Sequence, residues 1–159
     1  MLIEIWTRDG YSGNEEAGLI DRLSRAGLEV GAAKLSRLYN IDAAWPRGHF
    51  KRLLSGLLAD PITEKGSLSG RPGLDGFYRV EVWLKRSATD VVGESVREAV
   101  HDVLGLAPRG VRFGRAYYLA APGRRKPAGG AAADPYQARL RAVVARTLAN
   151  EIVQTVTIA

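Results

Sequence analysis

Apolar and polar residues alternate along Ile3-Glu4-Ile5-Trp6, and the same alternation returns 77 residues later as Val80-Glu81-Val82-Trp83. A period of two puts Ile3 and Ile5, and likewise Val80 and Val82, on one side of an extended chain, so each stretch predicts a half-buried strand. Helical spacing follows each strand. Leu19, Ile20, Leu23 and Ala26 mark one face of a helix that opens with Ser12 and Glu15 at capping-box spacing and closes at Gly27. In the second half Val96, Ala99, Val100, Val103 and Leu104 form the matching face, between an Asp90 N-cap and a Gly105 stop.

Residues 34–41 (KLSRLYNI) and 112–119 (RFGRAYYL) then align at an offset of 78, with Ser36 against Gly114, Arg37 against Arg115 and Tyr39 against Tyr117. A small residue inside a β pattern marks a bulge or turn, so each segment is either one bent strand or two short ones. The clearest periodicity comes next. Phe50, Leu53, Leu54, Leu57 and Leu58 correspond at an offset of 90 to Leu140, Val143, Val144, Thr147 and Leu148, and the second of these helices opens on Asp134, Pro135 and Gln137. Both end in parallel phrases, LLADPIT and TLANEIV, and a closing strand follows at residues 152–158.

Each half therefore reads strand, helix, broken strand, helix, strand. The pattern predicts an α+β chain of two tandem ferredoxin-like units, packed on each other as an intrachain pseudo-dimer. The expected boundaries are residues 1–68 for the first unit, 69–77 for a glycine-rich hinge, and 78–159 for the second, which carries an insertion at 120–133. A unit of this size buries only roughly 60% of its unfolded surface, so the two should share an interface.

Composition changes this picture mainly through charge. The formal charge is +6, and residues 1–77 hold ten basic and ten acidic side chains, so the whole excess lies beyond residue 77. Part of it is the Arg124–Lys126 cluster in a Pro/Gly/Ala-rich loop. Such a surface attracts nucleic acid or any acidic partner without choosing between them. There is no cysteine, which excludes a disulfide scaffold and thiolate metal sites. No apolar run near the start is long enough for a signal peptide or membrane span, so a cytoplasmic protein is expected.

Catalytic constellations are not evident. His49 and His101 are isolated on helices and read as solvated residues. Glu15-Glu16 lies in a first helical turn, where the helix dipole explains it. The glycine-rich linker lacks the Lys-Ser/Thr of a phosphate loop and leads into a strand. Arg109–Gly114 (RGVRFG) has some look of an RNA-recognition strand, but its aromatic spacing is broken and Tyr117 and Tyr118 point to opposite faces.

The second half, through YRVEVWLK, DVVGESVREAV, GVRFGRAYYL and LANEIVQTVTI, resembles the PurS family, the small subunit of phosphoribosylformylglycinamidine synthase. LLADPITE in the first half resembles the equivalent phrase in the N-terminal domain of the long form of that synthase. Val91 departs from the family's proline, Arg115 from its lysine, and Glu151 from the proline that the first half keeps as Pro61. The resemblance implies a non-catalytic accessory subunit of purine biosynthesis, without cofactor or metal. It would bridge a glutaminase (PurQ-like) and an ATP-dependent synthetase (PurL-like) so that ammonia passes between them. Candidate partner contacts are Arg37, Arg115, Tyr117 and Tyr118 beside the broken strands, and Asp60, Pro61, Asn150 and Glu151 at the helix ends. For each the alternative is structural: Pro61 and Asn150 as helix terminators, the tyrosines as core. The rival functions are a small-molecule-binding regulatory module and, less favoured, an RNA-binding protein.

Overall fold

The alternating stretches do become strands, and what joins them is their pairing. In the computed structural model, which describes residues 1–123, 126–127 and 134–159, the chain is α+β. Among the described residues the strands are β1 (Leu2–Thr7), β2 (Ala32–Asp42), β3 (Glu64–Ser67), β4 (Tyr78–Leu84), β5 (Gly110–Ala120) and β6 (Gln154–Ile158). The helices are α1 (Gly13–Arg25), α2 (Arg47–Leu53), α3 (Val91–Leu104) and α4 (Pro135–Thr147). All six strands form one antiparallel sheet in the order β3-β1-β2-β5-β4-β6, with helices over one face, which is compatible with a ferredoxin-like plan. Arg124, Arg125 and most of the expected 120–133 insertion lie outside the described residues.

The register repeats between halves. Ile3 faces Tyr39 as Val80 faces Tyr117, and Trp6 faces Lys65 as Trp83 faces Thr155. At the centre β2 pairs with β5 over their full length, and Arg37 lies directly opposite Arg115. The ladder closes alike at both ends, with Gly31 N–H donating to Ala120 C=O and Arg109 N–H to Asp42 C=O, both at 2.8 Å.

The expected breaks at Ser36 and Gly114 do not occur: β2 and β5 are each one continuous strand of 11 residues. Both small residues serve the face opposite the helices. A Cβ on Gly114 would come within 2.6 Å of the Trp83 ring, so its missing side chain seats the indole. Ser36 is buried and its hydroxyl accepts from Arg71 at 3.4 Å. Small residues in mid-strand here make room for large neighbours on the next strand or the linker.

Two helix features also differ from expectation. Ser12 precedes α1, but its hydroxyl donates to the Glu16 carboxylate at 2.7 Å and caps no backbone N–H. The second apolar helix of the first half stays α-helical only to Leu53 and then widens into a π-turn over Leu54–Leu58, closed by Ala59 N–H donating to Leu54 C=O at 3.0 Å. The widening seats Leu54 against Gly66, where a Cβ would lie 2.2 Å from Leu54 Cδ1. Asp90 and Asp134 cap α3 and α4 as their positions predict, accepting from Gly93 N–H and Tyr136 N–H.

Beneath the helices the core divides in two, and each part takes one helix from each half. Leu19 and Leu23 of α1 pack with Leu140, Val143 and Val144 of α4 over Val80, Tyr117 and Leu119. Phe50 and Leu53 of α2 pack with Val96 and Val100 of α3 over Ile3, Ile5 and Ile41. Reciprocal caps tie α1 to α4, since Arg22 donates to Thr147 C=O and Arg146 to Ala26 C=O. Leu23 and Leu140 are fully buried in this shared cluster, and burial of each side chain contributes about 2 kcal/mol.

Gly114→Ala should lower stability by about 1–3 kcal/mol in urea unfolding, because its methyl group has to displace the Trp83 ring. A smaller cost in a Trp83→Leu background would locate the clash, and equal costs in both backgrounds would refute it.

Candidate functional site

Alternation sends Glu4, Arg79, Glu81, Trp83 and Tyr118 to the face without helices, where the linker covers them. Glu4 is fully buried. Its carboxylate accepts from the Tyr118 hydroxyl, from Arg79 at 3.2 Å and from the backbone N–H of Arg71, also at 3.2 Å. Arg79 also pairs with Glu81 at 2.7 Å, and Glu81 accepts from Trp83 Nε1 at 2.9 Å. Arg71 donates to Leu35 C=O at 2.9 Å and lies over the rings of Trp6 and Tyr118. A buried carboxylate is tolerated only when charge and hydrogen bonds satisfy it, and here both are supplied from three segments. The linker is therefore a structural cover rather than the expected hinge. Leu74 and Phe77 complete it against Leu38 and Ala116. Beside it lies a cavity of about 610 Å³ lined by Arg71, Arg79, Tyr118 and Lys126.

On the helix face, Arg37 and Arg115 meet in a groove of about 310 Å³ that also touches Thr7, Glu15 and Glu64. Arg37 pairs with Glu64 at 2.8 Å. Arg115 is exposed, packs over the Phe113 ring at 5.8 Å, and takes part in none of the ion pairs found among the described residues. Burial, and next the neighbouring Glu16, hold the Glu15 carboxyl above its usual range, while Glu16 itself bonds Lys34 at 3.0 Å. The groove thus juxtaposes a neutralised guanidinium, an open one and the Glu15 carboxyl.

Asp60 and Asn150 begin two turns of identical construction. Asp60 N–H donates to the Glu64 side chain as Asn150 N–H does to Gln154, both at 2.8 Å. Ile62 N–H donates back to Asp60 Oδ1 at 2.8 Å, and Ile152 N–H to Asn150 Oδ1 at 3.1 Å. Each turn leads into an edge strand and holds an isoleucine in solvent, Ile62 at 70% and Ile152 at 83% exposure. Pro61 and Glu151 are exposed beside them. Hydrogen bonds from Thr63 and Ile62 hold the Asp60 carboxyl below its ordinary value.

The expected contact residues therefore separate into three places. Asp60, Pro61, Asn150 and Glu151 lie at the two ends of the sheet; Arg37 and Arg115 meet at its centre. Tyr117 and Tyr118 are only 6% and 4% exposed, one in the α1/α4 core and one in the Glu4 network, where each has a structural role. The sequence reading missed Ile62 and Ile152, whose only sequence signal is an apolar residue two positions after a turn-forming Asp or Asn. Phe113 of the RNA-like phrase faces the helices and packs on Tyr39 at 5.4 Å. Among the described residues no group of His, Asp and Glu is arranged to hold a metal ion, and no helix is long and apolar enough to cross a membrane. Protein-family models give no match for this chain, and neither do curated proteins.

Burial, together with the bond to Glu4, pushes the Tyr118 phenol up from its ordinary value of about 10. The folded state keeps it protonated while the unfolded chain ionises, so its contribution is complete below about pH 10 and is lost as pH rises toward the folded value. Tyr39, also raised by burial, adds to this alkaline loss. Denaturation midpoints from pH 8 to 12 should fall less steeply for Tyr118→Phe than for the parent; equal slopes would exclude this origin.

Proposed function

We propose that the chain is a non-catalytic accessory subunit of phosphoribosylformylglycinamidine synthase, built as a fused pair of PurS-like units in which the pseudo-dimer is internal. It bridges the glutaminase and synthetase subunits and supports ammonia transfer between them. The observation that carries this reading is the pair of equivalent turns at opposite ends of one sheet, each with an exposed isoleucine beside an edge strand. Exposed apolar residues held by hydrogen-bonded turns suit anchoring on a partner. The internal pairing about Arg37 and Arg115, with matching registers on either side, supports the duplication. A spacer with two such ends, interlocked through shared cores, fixes the separation of what binds to it.

A second reading draws support from the 310 Å³ groove, where Arg115 and Glu15 offer opposite charges to a small zwitterionic or anionic ligand. It predicts a saturable, ligand-dependent rise in melting temperature with no protein partner present.

The test of the first reading is reconstitution. The chain should co-purify with both a glutaminase and a synthetase subunit, and its omission should abolish glutamine-dependent but not ammonia-dependent synthesis. Full glutamine-driven activity without it would overturn the proposal. Ile62→Asp and Ile152→Asp should leave the melting temperature nearly unchanged while each weakens capture of one partner by about tenfold or more.

A further inference from the structure

The two edges of the sheet are built differently. β3 is short, carries Glu64 and Lys65, and has Glu64 drawn back onto Arg37. Short charged edges resist further pairing. β6 has no charged side chain, and apart from Gln154 all its residues are β-branched. Nothing in the composition of β6 opposes the addition of a strand.

Its pairing with β4 determines which backbone groups remain. Arg79 and Ala159 exchange N–H···O bonds at 3.0 and 2.9 Å, and Lys85 N–H donates to Val153 C=O at 2.8 Å. Residues 153, 155, 157 and 159 thus turn inward, and Val156 and Ile158 present both N–H and C=O outward. Gln154 adds only its C=O, because its N–H donates to Asn150 C=O at 2.8 Å. Among the described residues no strand lies beyond β6.

We propose that β6 pairs antiparallel with β6 of a second copy of this chain, about a two-fold axis at Val156, making the two sheets one. The strand complements itself in this register. Val156 meets its own counterpart, Gln154 meets Ile158, and the exposed Thr155 meets Thr157, a favourable cross-strand pair. About four backbone hydrogen bonds form. The edge is free of charge, so the chain's +6 does not act locally against it. Val156 and Ile158, half-buried at the rim of the α1/α4 core, continue that core into the second copy. The chain already uses the same device internally, where β2 pairs with β5 about Arg37 and Arg115. Both turns that carry Ile62 stay at the outer ends of the dimer. The inference does not rest on the accessory-subunit reading, since mass and partner capture are separate readouts.

Sedimentation equilibrium tests it. The parent chain should pass from 17.2 kDa to twice that mass as concentration rises, with a dissociation constant of about 1–100 μM. Val156→Pro removes an outward N–H and no bond to β4, so a folded variant should stay monomeric at every concentration. Thr155→Lys combined with Thr157→Lys provides a second variant at exposed positions. It sets like charges directly opposite each other in the proposed pairing and should weaken the dimer by tenfold or more. A parent that is monomeric throughout the range, or a folded variant that dimerises like the parent, overturns the proposal.

Discussion

Eleven consecutive residue pairs, from Ala32–Ala120 to Asp42–Gly110, hold β2 against β5 and make the two halves one sheet. With β2 and β5 at the centre, the helices cannot cover their own halves separately. α1 comes to lie beside α4, and α2 beside α3, so every apolar helix stripe is closed partly by the other half. A half of about 80 residues buries too little surface to be secure alone. Sharing both cores removes that weakness, and it couples the halves so that loss of one exposes the other's stripe.

The same ladder sets two arginines face to face, which by itself is unfavourable. Glu64 neutralises Arg37, and Arg115 stays in solvent over an aromatic ring, so neither charge is buried without compensation. On the reverse face the small residues Ser36, Gly114 and Ala116 leave a shallow floor at the middle of the sheet. Tyr118, Trp83 and Arg71 lie across that floor, and Glu4 becomes a shared acceptor for β4, β5 and the linker. The linker's course thus follows from where the sheet carries small side chains. Its glycines at positive φ, Gly70, Gly73 and Gly76, give the bends that bring Arg71 and Phe77 down onto it.

Element order, both Asp caps, the α+β class and most of the apolar helix faces were legible in the sequence, because each is written locally in period and capping residues; Val103, expected on the apolar face of α3, instead lies 62% exposed at the edge of that face. The continuity of β2 and β5 was not. Ser36 and Gly114 look like breaks when only the strand that carries them is considered, and the Trp83 ring and Arg71 that explain them come from elsewhere in the chain. The linker was misread for the same reason, since nothing local in GSLSGRPGLDG says that Arg71 meets Glu4. The turns at Asp60 and Asn150 were legible because turn chemistry is local. The burial of Tyr117 and Tyr118 was not, because adjacent aromatics in a strand look alike whether the sheet has one covered face or two.

Under the proposed bridging role, the two ends of the sheet matter both for what they share and for where they differ. The turns share one hydrogen-bond plan, and each holds its isoleucine in solvent. Their charges differ: Asp60 and Glu64 are acidic where Asn150 and Gln154 are neutral, and Pro61 faces solvent where Glu151 adds a charge. Shared geometry with unlike electrostatics is how one scaffold tells two partners apart, because the wrong partner meets an unpaired or repelled charge at an otherwise matching anchor. A symmetric pair of units would bind the same partner twice. The departures from symmetry at these turns, more than the symmetry itself, are what would let the chain join unlike proteins.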